Sequence, residues 1–134
     1  DVRDLMRSPR TRFLLISSAD SVGLEAAKSV AAEVIGRDFE LADVVFNRSF
    51  IPEIDLCRHG PIELPARLES LAPKLTRMRK ELVDERDRKH ANMVAFGASQ
   101  GVPVWSLPEA TRPLGDTSAL AAWFSRGHAV QPLA

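Results

Sequence analysis

Two short apolar runs without alternation, Phe13-Leu14-Leu15-Ile16 and Val44-Val45-Phe46, constrain this chain more than any other feature. A strand with one wet face alternates apolar and polar residues, so an uninterrupted run predicts a strand buried on both faces, as in parallel sheets. Between the runs, Leu24, Ala27, Val30, Ala31 and Val34 recur at helical spacing. Asp20 or Ser21 is a good N-cap for that helix, and Gly36 supplies its stop. Strand, helix and strand in this order predict a right-handed βαβ unit, the building block of doubly wound sheets. The expected fold class is therefore α/β: three layers, a mostly parallel sheet with flanking helices.

The rest of the chain extends this pattern. Residues 1–7 suit one or two helical turns ended by Pro9, and residues 50–63, with Pro52, Gly60 and Pro61, read as an irregular loop. Leu64, Leu68, Leu71, Leu75, Met78 and Leu82 then follow steps of four and three, an apolar helical stripe. Pro65 fits a helix start, whereas Pro73 predicts a break or kink near Ala72, followed by a long helix toward Gly97. The stripe packs on the sheet or a neighbouring helix, or else Leu68, Leu71, Leu75, Met78 and Leu82 bind a partner. The mixed charges of residues 80–89 read as a solvated helix face. Val102-Pro103-Val104-Trp105 suggests a third strand, with Pro103 best tolerated at its start or edge. A last helix starts near Asp116 and carries Leu120, Trp123 and Phe124 on its apolar face.

At 134 residues the whole chain is expected to be one domain, with 51–99 a loop and helical insertion. Eighteen basic and eighteen acidic side chains cancel, which gives no long-range pull toward nucleic acid or an anionic membrane. The single cysteine, Cys57, rules out an internal disulfide and suits a reducing compartment. No apolar run reaches the roughly 18 residues of a membrane span, so direct membrane insertion is not expected. The first residue is Asp1 and not methionine, which leads to the expectation of a piece of a longer protein.

None of the seven glycines precedes a lysine, so the chain holds no G-x-x-x-x-G-K-[ST] phosphate loop, and no G-x-G-x-x-G run either. It therefore has no phosphate cradle of its own and no catalytic residue is assigned. Cys57-x-His59 offers too few ligands for zinc, His90 and His128 lie on other segments, and no G-x-S-x-G elbow is present. A receiver-like domain would need an acidic cluster after its first strand, which is missing. The positive signal is Asn47, directly after the second apolar run. Open α/β sheets bind ligands outside the carboxyl ends of their strands. A carboxamide there offers the donor and acceptor that match N7 and the N6 amino group of adenine. The plainer role of such an asparagine is to close a turn.

Residues 11–20, the helix carrying Leu24-Glu25-Ala26, and Ala42-Asp43-Val44-Val45-Phe46-Asn47-Arg48 together resemble a stretch of the ArsA-like anion-transporting (arsenical pump-driving) ATPases, a deviant P-loop class. Val102-Pro103-Val104-Trp105 and Pro108-Glu109 resemble that family's next strand and loop. The resemblance covers about residues 8–50 and 100–126 and implies the C-terminal part of a P-loop NTPase-type fold. It implies nucleotide-binding roles for Asn47 against adenine, Pro103 as a pocket residue, Trp105 as a stacking wall and Arg48 near ribose or phosphate. It also implies ATP and Mg²⁺, held mainly by missing N-terminal residues, and hydrolysis only within a longer protein. The implied partners are a second copy or a sister ATPase subunit, together with a membrane-protein partner or client, in the cytoplasm. Residues 51–99 depart most from the family: relatives carry C-x-x-C or further cysteines there, and this chain has only Cys57. The alternative is a non-catalytic α/β interaction module using the 64–82 stripe.

Overall fold

The computed structural model describes residues 1–49, 62–110 and 112–131. The expected order of elements appears with adjusted ends. A short helix α1 (Val2–Met6) is capped by Asp1, whose side chain accepts from the Arg3 N–H. Strand β1 (Phe13–Ser18), helix α2 (Ser21–Gly36) and strand β2 (Leu41–Asn47) follow. A 3₁₀ helix (Ala66–Leu71) runs into the long α3 (Ala72–Gln100). The chain then forms β3 (Val104–Ser106), α4 (Thr117–Phe124) and β4 (His128–Ala129).

The four strands form one sheet in the order β1-β2-β3-β4. Strands β1, β2 and β3 are parallel, and β4 runs antiparallel to β3. The fold is thus mixed α/β with a mostly parallel sheet and flanking helices. The short β4 carries no apolar run and was not foreseen from sequence.

One face of the sheet holds the core. Phe46 and Val44 point into it from β2 and are fully buried, and Val104 joins them from β3. Leu24, Ala27 and Ala31 of α2 and Met93 and Phe96 of α3 close over them, with Phe46 and Phe96 in edge-to-face contact at 5.3 Å. Gly97 lets α3 approach β3: a Cβ there would stand 3.0 Å from Val104 Cγ2.

The opposite face corrects the sequence reading. Burial on both faces was expected for β1, yet Leu14 and Ile16 are each 55% exposed. Along β1 the side chains alternate between the core and this second face. Among the described residues, no helix covers the second face over β1. On this side α4 contributes Phe124, which borders a cavity of about 320 Å³ with Leu14, Asp43, Val45, Trp105 and Leu107.

The helix ends follow local chemistry. Asp20 caps α2 by accepting from the Gly23 N–H at 2.8 Å, and Asp116 caps α4 through Ala119 at 2.7 Å. Pro73 does not kink a helix. It lies in the first turn of α3, where its missing N–H costs nothing, and the break falls before it. At the far end Gly101, in the left-handed region at φ 66°, stops α3 past the expected Gly97. No helix among the described residues is long and apolar enough to cross a membrane.

Candidate functional site at the carboxyl end of the sheet

The carboxyl ends of β1, β2 and β3 bring together Ser17, Ser18, Asn47, Arg48, Ser49, Leu107 and Pro108. Asn47 is the last residue of β2 and pairs in register with Ser18 of β1. Strand alternation puts Asn47 on the same face as Val45, two residues further toward the carboxyl end. Arg48 then adopts the left-handed region at φ 54°, which ends the strand abruptly.

Backbone bonds tie this turn to β3. The Leu107 N–H donates to Phe46 O at 2.8 Å, and the Ser49 N–H donates to Leu107 O at 3.0 Å. Ser49 is buried, and its hydroxyl donates to Phe46 O at 2.7 Å. The turn after β2 is therefore closed by Ser49 and the backbone, and the side chain of Asn47 is not needed to close it. Its carboxamide has no hydrogen-bond partner among the described residues. Pro108 is also fully buried, and the Trp123 indole N–H donates to its carbonyl at 2.9 Å. Helix α4 thus holds the loop that borders the rim.

On the β1 side, the Ser17 hydroxyl donates to Gly23 O at 2.8 Å. The Asp20 carboxyl is held below its ordinary value, chiefly by a hydrogen bond from the Ser18 side chain and then by the Gly23 N–H. Gly23 itself is required by space. A Cβ would sit 2.2 Å from Ser18 Oγ and 2.3 Å from Ser18 O, so α2 starts directly against the end of β1.

The sequence-derived site residues are not all brought together. Asn47 and Arg48 share the carboxyl rim, and Arg48 reaches across it to Glu109 at 3.5 Å, with both side chains exposed. Pro103 lies at the other end. It precedes β3 and its carbonyl accepts from the Val44 N–H, so it is about three residues, roughly 10 Å, from the level of Asn47. Trp105 pairs with Val45 on the shared face, but its indole N–H donates to Asp43 Oδ1 at 2.8 Å. That bond draws the ring toward the amino end, away from Asn47. Sequence reading passed over Gly23 and Ser49, which shape the rim. The Gly sits among helix formers and Ser49 follows a turn, so only the three-dimensional contacts mark them.

The apolar stripe is only partly covered among the described residues. Leu68, Leu71 and Met78 are 37%, 44% and 47% exposed, and Leu75 and Leu82 are half-buried. Cys57 and His59 lie outside the described residues. His90 Nε2 bonds to Gln131 O at 2.9 Å. Compared with known families and characterised proteins, the chain matches no family model and no characterised sequence.

Proposed function

We propose that this chain is the adenine-side part of a P-loop NTPase-type ATPase resembling the ArsA-like family, acting in the cytoplasm. One observation carries the reading: Asn47 ends β2 at the carboxyl rim with its carboxamide unpartnered among the described residues, while Ser49 and the backbone close the turn. A free carboxamide can donate to adenine N7 and accept from the N6 amino group in one plane. Ser18 of β1 lies beside Asn47 in register, and the loop holding the buried Pro108 follows the neighbouring β3. Arg48, held among the described residues by an exposed ion pair to Glu109, can turn toward ribose or phosphate.

The phosphates and Mg²⁺ need a glycine-rich loop and a lysine that this chain does not contain, so catalysis belongs to a longer polypeptide. In such a protein this part supplies base recognition and the frame of the sheet. A sister subunit and a membrane-protein partner or client complete the reading. The test is calorimetric titration of ATP into the longer, phosphate-loop-bearing protein. Asn47→Ala is expected to weaken binding by about 1–3 kcal/mol, the cost of leaving a polar partner unpaired. Unchanged affinity removes Asn47 from the pocket.

A second reading, a non-catalytic interaction module, draws on the exposure of Leu71 and Met78. The coding sequence preceding Asp1 separates the two. A G-K-G-G-x-G-K-[ST]-like segment there supports the ATPase, and a start codon near Asp1 supports the module.

A further inference from the structure

Helix α3 is about 43 Å long at 1.5 Å per residue, yet only Met93 and Phe96, near its C-terminal end, are buried. Among the described elements α3 continues from the 3₁₀ helix and packs on α2 and β3, with its buried residues Met93 and Phe96 near the C-terminal end. An isolated helix in water is marginal, and its apolar face ordinarily needs a partner. Leu71, Leu75, Met78 and Leu82 form such a face, with Met78 and Leu71 exposed.

The charges beside that face are segregated. Residues 72–80 carry Lys74, Arg77, Arg79 and Lys80 and no acid, while all four acidic residues of the helix, Glu81, Asp84, Glu85 and Asp87, follow. Several of the later charges are paired within the helix: Lys80 with Asp84 at 2.6 Å, Lys89 with Glu85 at 3.0 Å, and Arg86 with Asp87 at 2.7 Å. Lys74 and Glu81 make no ion pair within 4 Å among the described residues, although Glu81 is attracted to the neighbouring Lys80. They stand seven residues apart, hence on the same flank of the stripe.

We propose that this face pairs with a second copy of the chain, the two α3 helices lying antiparallel. With Leu71 level with Leu82 of the other copy and Leu75 with its Met78, each Lys74 meets the other copy's Glu81. A parallel arrangement would instead set Lys74 beside the other copy's Arg79, which is repulsive, and Glu81 beside its Arg86, which is already paired with Asp87. The charge order therefore selects the antiparallel partner, as flanking charges do in coiled coils. The inference is independent of the adenine reading and needs no nucleotide.

Sedimentation velocity on the purified chain over a wide concentration range tests it, with circular dichroism confirming that each variant stays folded. Both sites are exposed, so their substitution leaves the core untouched. The expected result is a monomer–dimer equilibrium that weakens with added salt. Lys74→Glu or Glu81→Lys alone should raise the dissociation constant about tenfold, because two exposed attractions become repulsions. The double variant should restore it. A monomer at every concentration overturns the proposal. So does a dimer indifferent to both charge reversals, or one abolished by Ile16→Lys on the open sheet face and not by Lys74→Glu.

Discussion

The two ends of this sheet are built from the same three parallel strands and differ in what they leave unmade. At the amino end, Phe13 stacks on Phe39 at 5.1 Å, Arg12 pairs with Glu40, and Pro103 gives its carbonyl to Val44. That end is closed. At the carboxyl end, α2 starts hard against Ser18, Ser49 locks the turn after β2, and α4 holds the Pro108 carbonyl. The backbone turn there is tied by bonds between Phe46, Ser49 and Leu107, while the Asn47 side chain has no hydrogen-bond partner among the described residues. A rigid frame around a half-exposed carboxamide with no protein partner among the described residues is an arrangement that suits a binding site. The amino end has the rigidity without the unmet group.

Glycine replacement should break the symmetry most strongly. Gly23→Ala drives a methyl group into the Ser18 backbone and is expected to cost about 1–3 kcal/mol or more in urea unfolding. Gly36, at the other end of the same helix, has open space around it and no left-handed φ. Gly36→Ala should therefore be neutral or stabilise by up to about 1 kcal/mol. Equal losses at both positions would remove the contrast between the two ends.

Asp20 sharpens the comparison through pH. Its carboxyl is held below the ordinary value in the folded chain, so the charged form is favoured by folding. The resulting stability is fully present above the unfolded-state value and is lost as pH falls through the lower folded value. Asp20→Asn should flatten this acid limb in thermal melts recorded against pH and leave the rest of the profile in place. An acid limb of unchanged slope would mean that the Ser18 and Gly23 bonds do not hold the charge.

The smallest effect is expected at Arg48. Its ion pair with Glu109 is exposed on both sides, so Arg48→Ala should change unfolding stability by about 0–1 kcal/mol, and less at high salt. A larger loss would make the arginine part of the frame and not a mobile group on the rim.

Much of this was legible in the sequence. The runs at Phe13 and Val44 located two core strands, the spacing from Leu24 to Val34 located α2, and Asp20 and Asp116 were readable as caps. The position of Asn47 at a strand end followed directly from Val44-Val45-Phe46. What was not legible depends on register and layering. Continuous apolar character in β1 does not say that a helix covers both faces, and here Leu14 and Ile16 stay open. Pro103 and Trp105 lie in one short run, but the parallel pairing of Val44 with Val104 sets them at the wrong height for Asn47. No local pattern encodes that height. Likewise β4 has only two residues, too few to leave a periodic signal.

The central claim is that the Asn47 carboxamide reads a purine at the carboxyl rim. Adenosine titrated into the ¹⁵N-labelled chain, with guanosine as the control, tests it without phosphates or metal. The account predicts saturable shifts at the Ser18, Asn47 and Leu107 amides with adenosine, absent in Asn47→Ala and weaker with guanosine, while the Val102 and Val104 amides flanking Pro103 stay still. Shifts that ignore the Asn47 substitution, or that gather at the amino end, would contradict it.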